Sequence, residues 1–250
     1  MRLTILGSGT NLHPTRAAAG YFVETDRQLL LDFGPRTLRN LLKAGVDRHT
    51  LTHILFTHYH ADHFSDFITF FFDALCHTMF VGPRPDLTLI GPPGTKRLFR
   101  TILKTFPSFG EATFRVRLRE VSTRSFRLGR TRITPRPVRH STSQACLGYR
   151  VEYGGKVIAY SGDAQYCPTL VALCRNADLA VLDCSFPAGH AGFNHMTADV
   201  CGQVAQEANV RHLVLSHFYE AAERADVRRQ AATRFRGRIT KGRDLLRLTL

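Results

Sequence analysis

Residues 54–67, ILFTHYHADHFSDF, set three histidines and an aspartate within six positions, directly after an apolar run that reads as a buried strand. Burying polar groups without partners costs roughly 2–7 kcal/mol each. A chain with this segment must therefore fold so that something compensates His58, His60, Asp62 and His63. On a strand that continued through them, His58 and His60 would share a face. Asp62 and His63 would fall in the turn opening the next helix. Imidazoles together with a carboxylate suit Zn²⁺, with Mn²⁺ or Fe as alternatives. Spacing of the form H-x-H-x-D-H is far more specific than a lone histidine.

Four local groups do not complete two coordination spheres, so other strand ends must contribute. Three candidates each follow an apolar run: His140 after ITPRPVRH, Asp163 after KVIAYSGD, and His217 after HLVLSH. The resulting assignment gives His58, His60 and His140 to one metal ion, and Asp62, His63 and His217 to a second. Asp163 bridges the two. Two cations about 3.5–4 Å apart can share and deprotonate a water and stabilise charge on the attacking and leaving oxygens.

The rest of the chain alternates strand and helix patterns. LTILG, GYFVET and RQLLLDFG read as strands, and PRTLRNLLKAG as a helix with Leu38, Leu41 and Leu42 on one face. DLTLIGP and GTKRLFRTILKTF follow as strand and helix, and DFITFFFDAL as a buried or mouth-lining helix. FRVRLREV alternates strictly, as a half-exposed strand does. Hairpins follow, with Gly154-Gly155 at a turn. PTLVALCRNA, LAVLDCSF, TADVCGQVAQEANV (opened by Thr197 as N-cap) and HLVLSHF return to helix-strand alternation. This order suits two similar sheet halves packed face to face with helices outside, in a single domain over 1–250.

These motifs resemble the metallo-β-lactamase fold superfamily over essentially the whole chain, from LGSGT to LVLSHF. The resemblance implies an α/β fold, an αββα sandwich of two mixed β-sheets flanked by helices, with a dinuclear site where strand ends meet. It also implies the same seven ligands. Within that superfamily, ILGSGTNLHPTR, AYSGDAQYCPTL and FNHMTADVCGQVAQEA are most similar to ribonuclease Z and related phosphodiesterases. That branch implies three catalytic residues. Asp62 orients the attacking hydroxide, His195 assists at the phosphate or leaving oxygen, and Asp183 orients His195. Here the acidic segment reads Asp183-Cys184-Ser185-Phe186, one carbon shorter than the family's glutamate. A single short hairpin joins His140 to Asp163 where many ribonuclease Z proteins insert a tRNA-gripping arm. The branch also implies a phosphodiester substrate, RNA among the candidates, an endonuclease or a small or cyclic phosphodiesterase activity, and, in many members, a homodimer. Hydrolysis of a lactone, thioester or sulfate ester keeps the metals and changes the bond.

The formal net charge of +14, carried almost entirely by arginine, suits a polyanionic partner and is equally consistent with coding bias. Six cysteines without a CxxC pair, and no secretory signal pattern, give the expectation of a reduced, cytoplasmic setting with structural thiols. No uninterrupted apolar run reaches the roughly 18 residues of a membrane span. His13, His49, His53, His77, His190 and His212 lack such motif context. LGSGT lacks a Walker lysine, so the loop is not a nucleotide cradle.

Overall fold

Two mixed sheets of seven strands each carry the chain, in a computed structural model that describes residues 1–250. The first takes β1 (Arg2–Gly7), β2 (Gly20–Glu24), β3 (Gln28–Leu31), β4 (His53–Leu55), β5 (Leu87–Gly91) and β6 (Val116–Glu120). The second takes β7 (Phe126–Leu128), β8 (Thr131–Pro137), β9 (Leu147–Tyr153), β10 (Lys156–Tyr160), β11 (Leu179–Asp183), β12 (His212–Ser216) and β13 (Arg238–Lys241). A last strand, β14 (Arg247–Thr249), returns to the first sheet and pairs antiparallel with β1. Strands β3 to β6 run parallel, as do β10 to β13, and the remaining pairs are antiparallel.

The apolar runs are continuous rather than alternating because both faces of each sheet are covered. In β3, Leu29 and Leu31 point between the sheets, beside Tyr21, Val23, Tyr149, Val151 and Val181. Leu30 points outward with Phe22 and Phe33, against Phe67, Phe70 and Phe71 of the helix Asp66–Phe80. On the far side, Ala159, Leu182 and Leu215 face outward against Leu170, Leu173, Cys201 and Val204. Each large side chain so buried contributes about 1.5–3 kcal/mol. The helices are α1 (Thr37–Lys43), α2 (Ala61–Phe64), α3 (Asp66–Phe80), α4 (Thr95–Thr105), α5 (Pro168–Cys174), α6 (Ala198–Glu207), α7 (Glu220–Glu223) and α8 (Val227–Ala232). The arrangement is the αββα sandwich, and none of the helices is long and apolar enough to cross a membrane.

Local details differ from the sequence reading. Helix α1 buries Thr37, Asn40 and Leu41, and leaves Leu42 exposed, because Asn40 turns inward to donate to the Leu6 carbonyl at 2.7 Å. Thr197 sits at the start of α6 but does not cap it; its hydroxyl donates to Asp199 Oδ1 at 2.6 Å. Helix α3 buries Phe67, Phe70, Phe71, Ala74 and Leu75, then runs on to expose Met79 and Phe80. Strand β4 ends at Leu55, so His58 and His60 lie on irregular backbone beyond it. The Gly154-Gly155 turn joins β9 to β10 with both residues at positive φ, 59° and 73°, as a two-residue hairpin of the primed type requires.

The β14 strand and the loop before it hold the N-terminal glycine-rich loop. Asp244 accepts hydrogen bonds from Ser8 N, Ser8 Oγ and Ala17 N at 3.0, 2.7 and 2.7 Å. Gly9 bridges Phe218, next to His217.

Candidate metal centre

One edge of the sandwich collects the C-terminal ends of β3, β4, β8, β10, β11 and β12, the place where α/β sheets present ligands. Asp32 follows β3. His58 and His60 follow β4, and Asp62 and His63 form the first turn of α2. His140 follows β8 and Asp163 follows β10. Asp183 ends β11, and His217 follows β12. His195 comes from the loop before α6. Tight backbone makes the convergence possible. Asp32 and His217 adopt left-handed conformations, with φ of 57° and 63°, which costs a non-glycine residue about 1 kcal/mol or more. At Gly162, φ is 59° and a Cβ would sit 2.8 Å from Thr57 Cβ. At Gly34 a Cβ would meet the Asp62 carbonyl oxygen at 1.8 Å, so only glycine lets α2 pack there.

All seven side chains predicted as ligands come together: His58, His60, His140 and Asp163 form one group and Asp62, His63 and His217 another, while Asp163 and His217 also group with Asp183 and His195. In the first, His58 Nε2 lies 2.9 Å from His60 Nδ1, and His140 Nε2 lies 3.1 Å from the same atom. Asp163 Oδ2 is 3.6 Å from His58 Nε2 and 3.5 Å from His140 Nε2. In the second, His63 Nε2 and His217 Nε2 are 3.2 Å apart. Asp163 Oδ1 is 2.9 Å from the former and 3.2 Å from the latter, and Asp62 Oδ2 is 3.4 Å from His217 Nε2. One carboxylate thus turns one oxygen toward each group.

The surrounding hydrogen bonds fix which nitrogen of each ring is free. Asp32 accepts from Thr57 N, Thr57 Oγ1 and Tyr160 OH, at 2.7, 2.8 and 2.7 Å. His63 Nδ1 donates to the same carboxylate at 2.8 Å. Because the Thr57 hydroxyl proton is engaged by Asp32, its oxygen accepts from His58 Nδ1 at 3.0 Å. Ser185 Oγ likewise donates to Asp183 Oδ1 at 2.6 Å and accepts from His217 Nδ1 at 3.1 Å. His140 Nδ1 donates to the Asn194 carbonyl at 2.9 Å. Each Nδ1 carries its proton outward, leaving an Nε2 lone pair facing the centre on His58, His63, His140 and His217.

Lone pairs so oriented repel one another at these distances unless a cation stands among them. Asp163 Oδ1 is also buried with no hydrogen-bond partner. Burial opposes its charge, yet His217 and His63 hold the carboxyl well below the usual range. Burial likewise depresses His63, but with no cation present Asp163 and Asp32 outweigh it and raise the imidazole to about 10, so that a proton on Nε2 would take the place a cation otherwise fills. The pocket attracts positive charge, and the donor set of imidazole nitrogen and carboxylate oxygen fits a divalent metal. The sequence reading did not single out Asp32, Thr57, Tyr160 or Ser185 as the groups that orient these rings. An aspartate ending the RQLLLD run was the only sequence signal for any of them.

His195 lies against the same centre, its ring 4.9 Å from that of His140 and 5.5 Å from that of His217. Its Nδ1 is 2.8 Å from Asp183 Oδ2, so the shorter acidic side chain reaches it. Burial pulls the His195 pKa down, and the Asp183 carboxylate more than reverses this, raising it above the ordinary histidine value. Asp183, despite full burial, is held at about 2 by His195 and His217.

Residues 27–218 match the family described as the beta-lactamase superfamily domain. A ribonuclease Z of Methanosarcina acetivorans is 30% identical over 87% of this chain and 87% of its own length. An uncharacterised protein of Mycobacterium tuberculosis is 31% identical over 96% of this chain and 88% of its own. Among solved structures, the metallo-beta-lactamase fold protein YhfI from Bacillus subtilis superposes with a TM-score of 0.86 at 22% identity, covering 99% of this chain and 98% of that one. Strand order, converging strand ends and these matches place the chain in the beta-lactamase superfamily, in its ribonuclease Z-like branch of metal-dependent hydrolases.

Proposed function

We propose that this protein is a dinuclear metal-dependent phosphodiesterase, acting on RNA near a 3′ end or on a small or cyclic phosphodiester. The observation that carries the reading is Asp163, whose two oxygens face two separate clusters of imidazole nitrogens beside the Asp183–His195 pair. His58, His60 and His140 would hold one cation, Asp62, His63 and His217 the other, with Asp163 between them. Zn²⁺ fits this borderline nitrogen and carboxylate set best. When bound, the cations supply Lewis acidity that activates water and neutralises charge developing at phosphorus.

The protein's own groups supply the rest. Asp62, only 8% exposed, is held ionised by His217 and His63 against the effect of burial. Its second oxygen is free to accept a proton from water and aim the lone pair at phosphorus. His195, with its Nδ1 proton on Asp183, keeps Nε2 as its second nitrogen, on a ring that lies against those of His140 and His217. With its pKa raised by the Asp183 carboxylate, His195 is the group that donates a proton to the leaving oxygen as the P–O bond breaks. The apolar layer between the sheets draws on strands from both halves of the chain, which supports treating residues 1–250 as one hydrolase domain.

The test is a substrate panel with Zn²⁺ or Mn²⁺ supplied: bis-p-nitrophenyl phosphate, a precursor tRNA, a cyclic nucleotide, a lactone and a thioester. Turnover of one or more phosphodiesters is expected. Cleavage of the lactone or thioester with no phosphodiester turned over would replace this reading with the ester-hydrolase one.

A further inference from the structure

The outer face of the second sheet carries a groove of about 380 Å³ between β8, β9 and the C-terminal end of α5. Four arginines line it, Arg132, Arg136, Arg150 and Arg175, with a single acid, Glu152. Four positive charges less one leave the concavity at +3. Arg150 is fixed in place: Nη1 donates to the carbonyls of Leu173 and Arg175, at 3.1 and 2.8 Å, and Nε lies 3.2 Å from Glu152. Glu152 also pairs loosely with Arg132, at 3.8 Å. Arg136 Nη1 also donates to the carbonyls of Thr123 and Pro135, so the exposed Arg132 and Arg175 carry the groove's least committed guanidinium groups, alongside the Ser125 and Thr134 hydroxyls.

The chain is rich in arginine throughout, so position decides which cluster matters. Two other basic hollows include Arg238 and lie where β10, β12 and β13 begin, the edge opposite the metal centre. In the second of these, Asp178 pairs with both Lys156 and Arg211, at 3.8 and 2.9 Å. The β8–α5 groove instead follows β8 toward its C-terminal end. Arg132 and Arg136 stand about 13 Å apart along that strand, and Arg136 precedes His140 by four residues, at most about 14 Å of chain. Exposed Arg139 sits between them. Arginine positions therefore continue along the chain from the groove to the residue before His140 at the catalytic edge.

We infer that this groove is an exosite for the sugar–phosphate backbone of single-stranded RNA, gripping nucleotides beyond those at the metal centre. The inference rests on the phosphodiesterase reading for the reacting end of that RNA, while the groove's binding is measurable without catalysis. Guanidinium forks match phosphate oxygens in pairs, and backbone contacts of this kind hold a strand regardless of sequence.

The test compares the wild type with R132S/R175S, both exposed side chains, and with R228S/R229S at the opposite edge as a control. Fluorescence anisotropy with a labelled single-stranded oligoribonucleotide is expected to show roughly tenfold weaker binding for the first variant only. Its slope of log affinity against log salt should fall by about 1.4, two lost phosphate contacts at ~0.7 each. In turnover, KM for the oligoribonucleotide should rise with kcat and bis-p-nitrophenyl phosphate hydrolysis unchanged. Equal binding by wild type and R132S/R175S, or equal weakening in both variants, would overturn the exosite. Normal RNA binding combined with loss of binding to phosphatidylserine vesicles would overturn it too. Failure of the wild type to cleave any phosphodiester would instead remove the reading beneath it, with the anisotropy result still deciding the groove.

Discussion

His63 donates its Nδ1 proton to Asp32 across 2.8 Å, and neither side chain is reached by solvent. This one contact fixes the ring's tautomer, and the same carboxylate reaches His58 through Thr57. Replacing Asp32 with Asn keeps the shape and removes the charge. Metal affinity is expected to fall about 10–100-fold. Isothermal titration of the metal-stripped variant with Zn²⁺ checks it, and unchanged affinity would show that Asp32 only fills space.

His195→Ala should lower phosphodiester turnover by about 10²–10⁴-fold while elemental analysis finds the metal content of the wild type. An equal loss of metal would recast His195 as a structural member of the centre.

Chelation should destabilise the fold. Without cations, Asp62, Asp163 and four inward-facing Nε2 atoms stay packed within a few ångströms of each other. Metal at a hundredfold excess over its Kd adds about 2.7 kcal/mol, so Tm should climb with added Zn²⁺ after treatment with a chelator. A Tm indifferent to chelator and metal would argue against occupancy in the folded state.

His212, away from the centre, gives a pH-dependent term. Burial, aided by Arg238, lowers its pKa from 6.5 to about 4, and Nε2 lies 2.9 Å from Thr240 Oγ1. Between those values the unfolded chain binds a proton that the folded one refuses. The contribution is therefore complete above pH 6.5 and is lost as pH falls toward 4. Because the ring is only half buried, the effect is discounted to about 1–2 kcal/mol. His212→Gln should flatten the decline of urea midpoint across that window; an unchanged slope would assign the acid sensitivity elsewhere.

Much of this architecture was written locally in the chain. Each converging side chain follows an apolar run, so strand ends could be identified and their polar terminal residues grouped without knowing the pairing. Asp32 ends such a run too, but its partner is thirty-one residues away and an aspartate before Phe33-Gly34 also reads as a turn. The Asn194 carbonyl that holds His140 is backbone, to which residue type offers no clue. Thr197 carries the capping residue type, and a neighbour, Asp199, captured its hydroxyl instead. The short β13 and β14 have too few residues to show a period, and only tertiary pairing makes them strands.

Because β14 zips onto β1 and Asp244 ties down the Ser8 loop, the first sheet is finished only by residues more than two hundred positions along the chain from its opening strand. A folding chain can condense its inner layers early, yet the wall beside His217 must wait for this distant segment to dock. Such widely separated closure is slow. A truncation of this tail should therefore act at a distance, loosening a centre that none of the deleted residues touches.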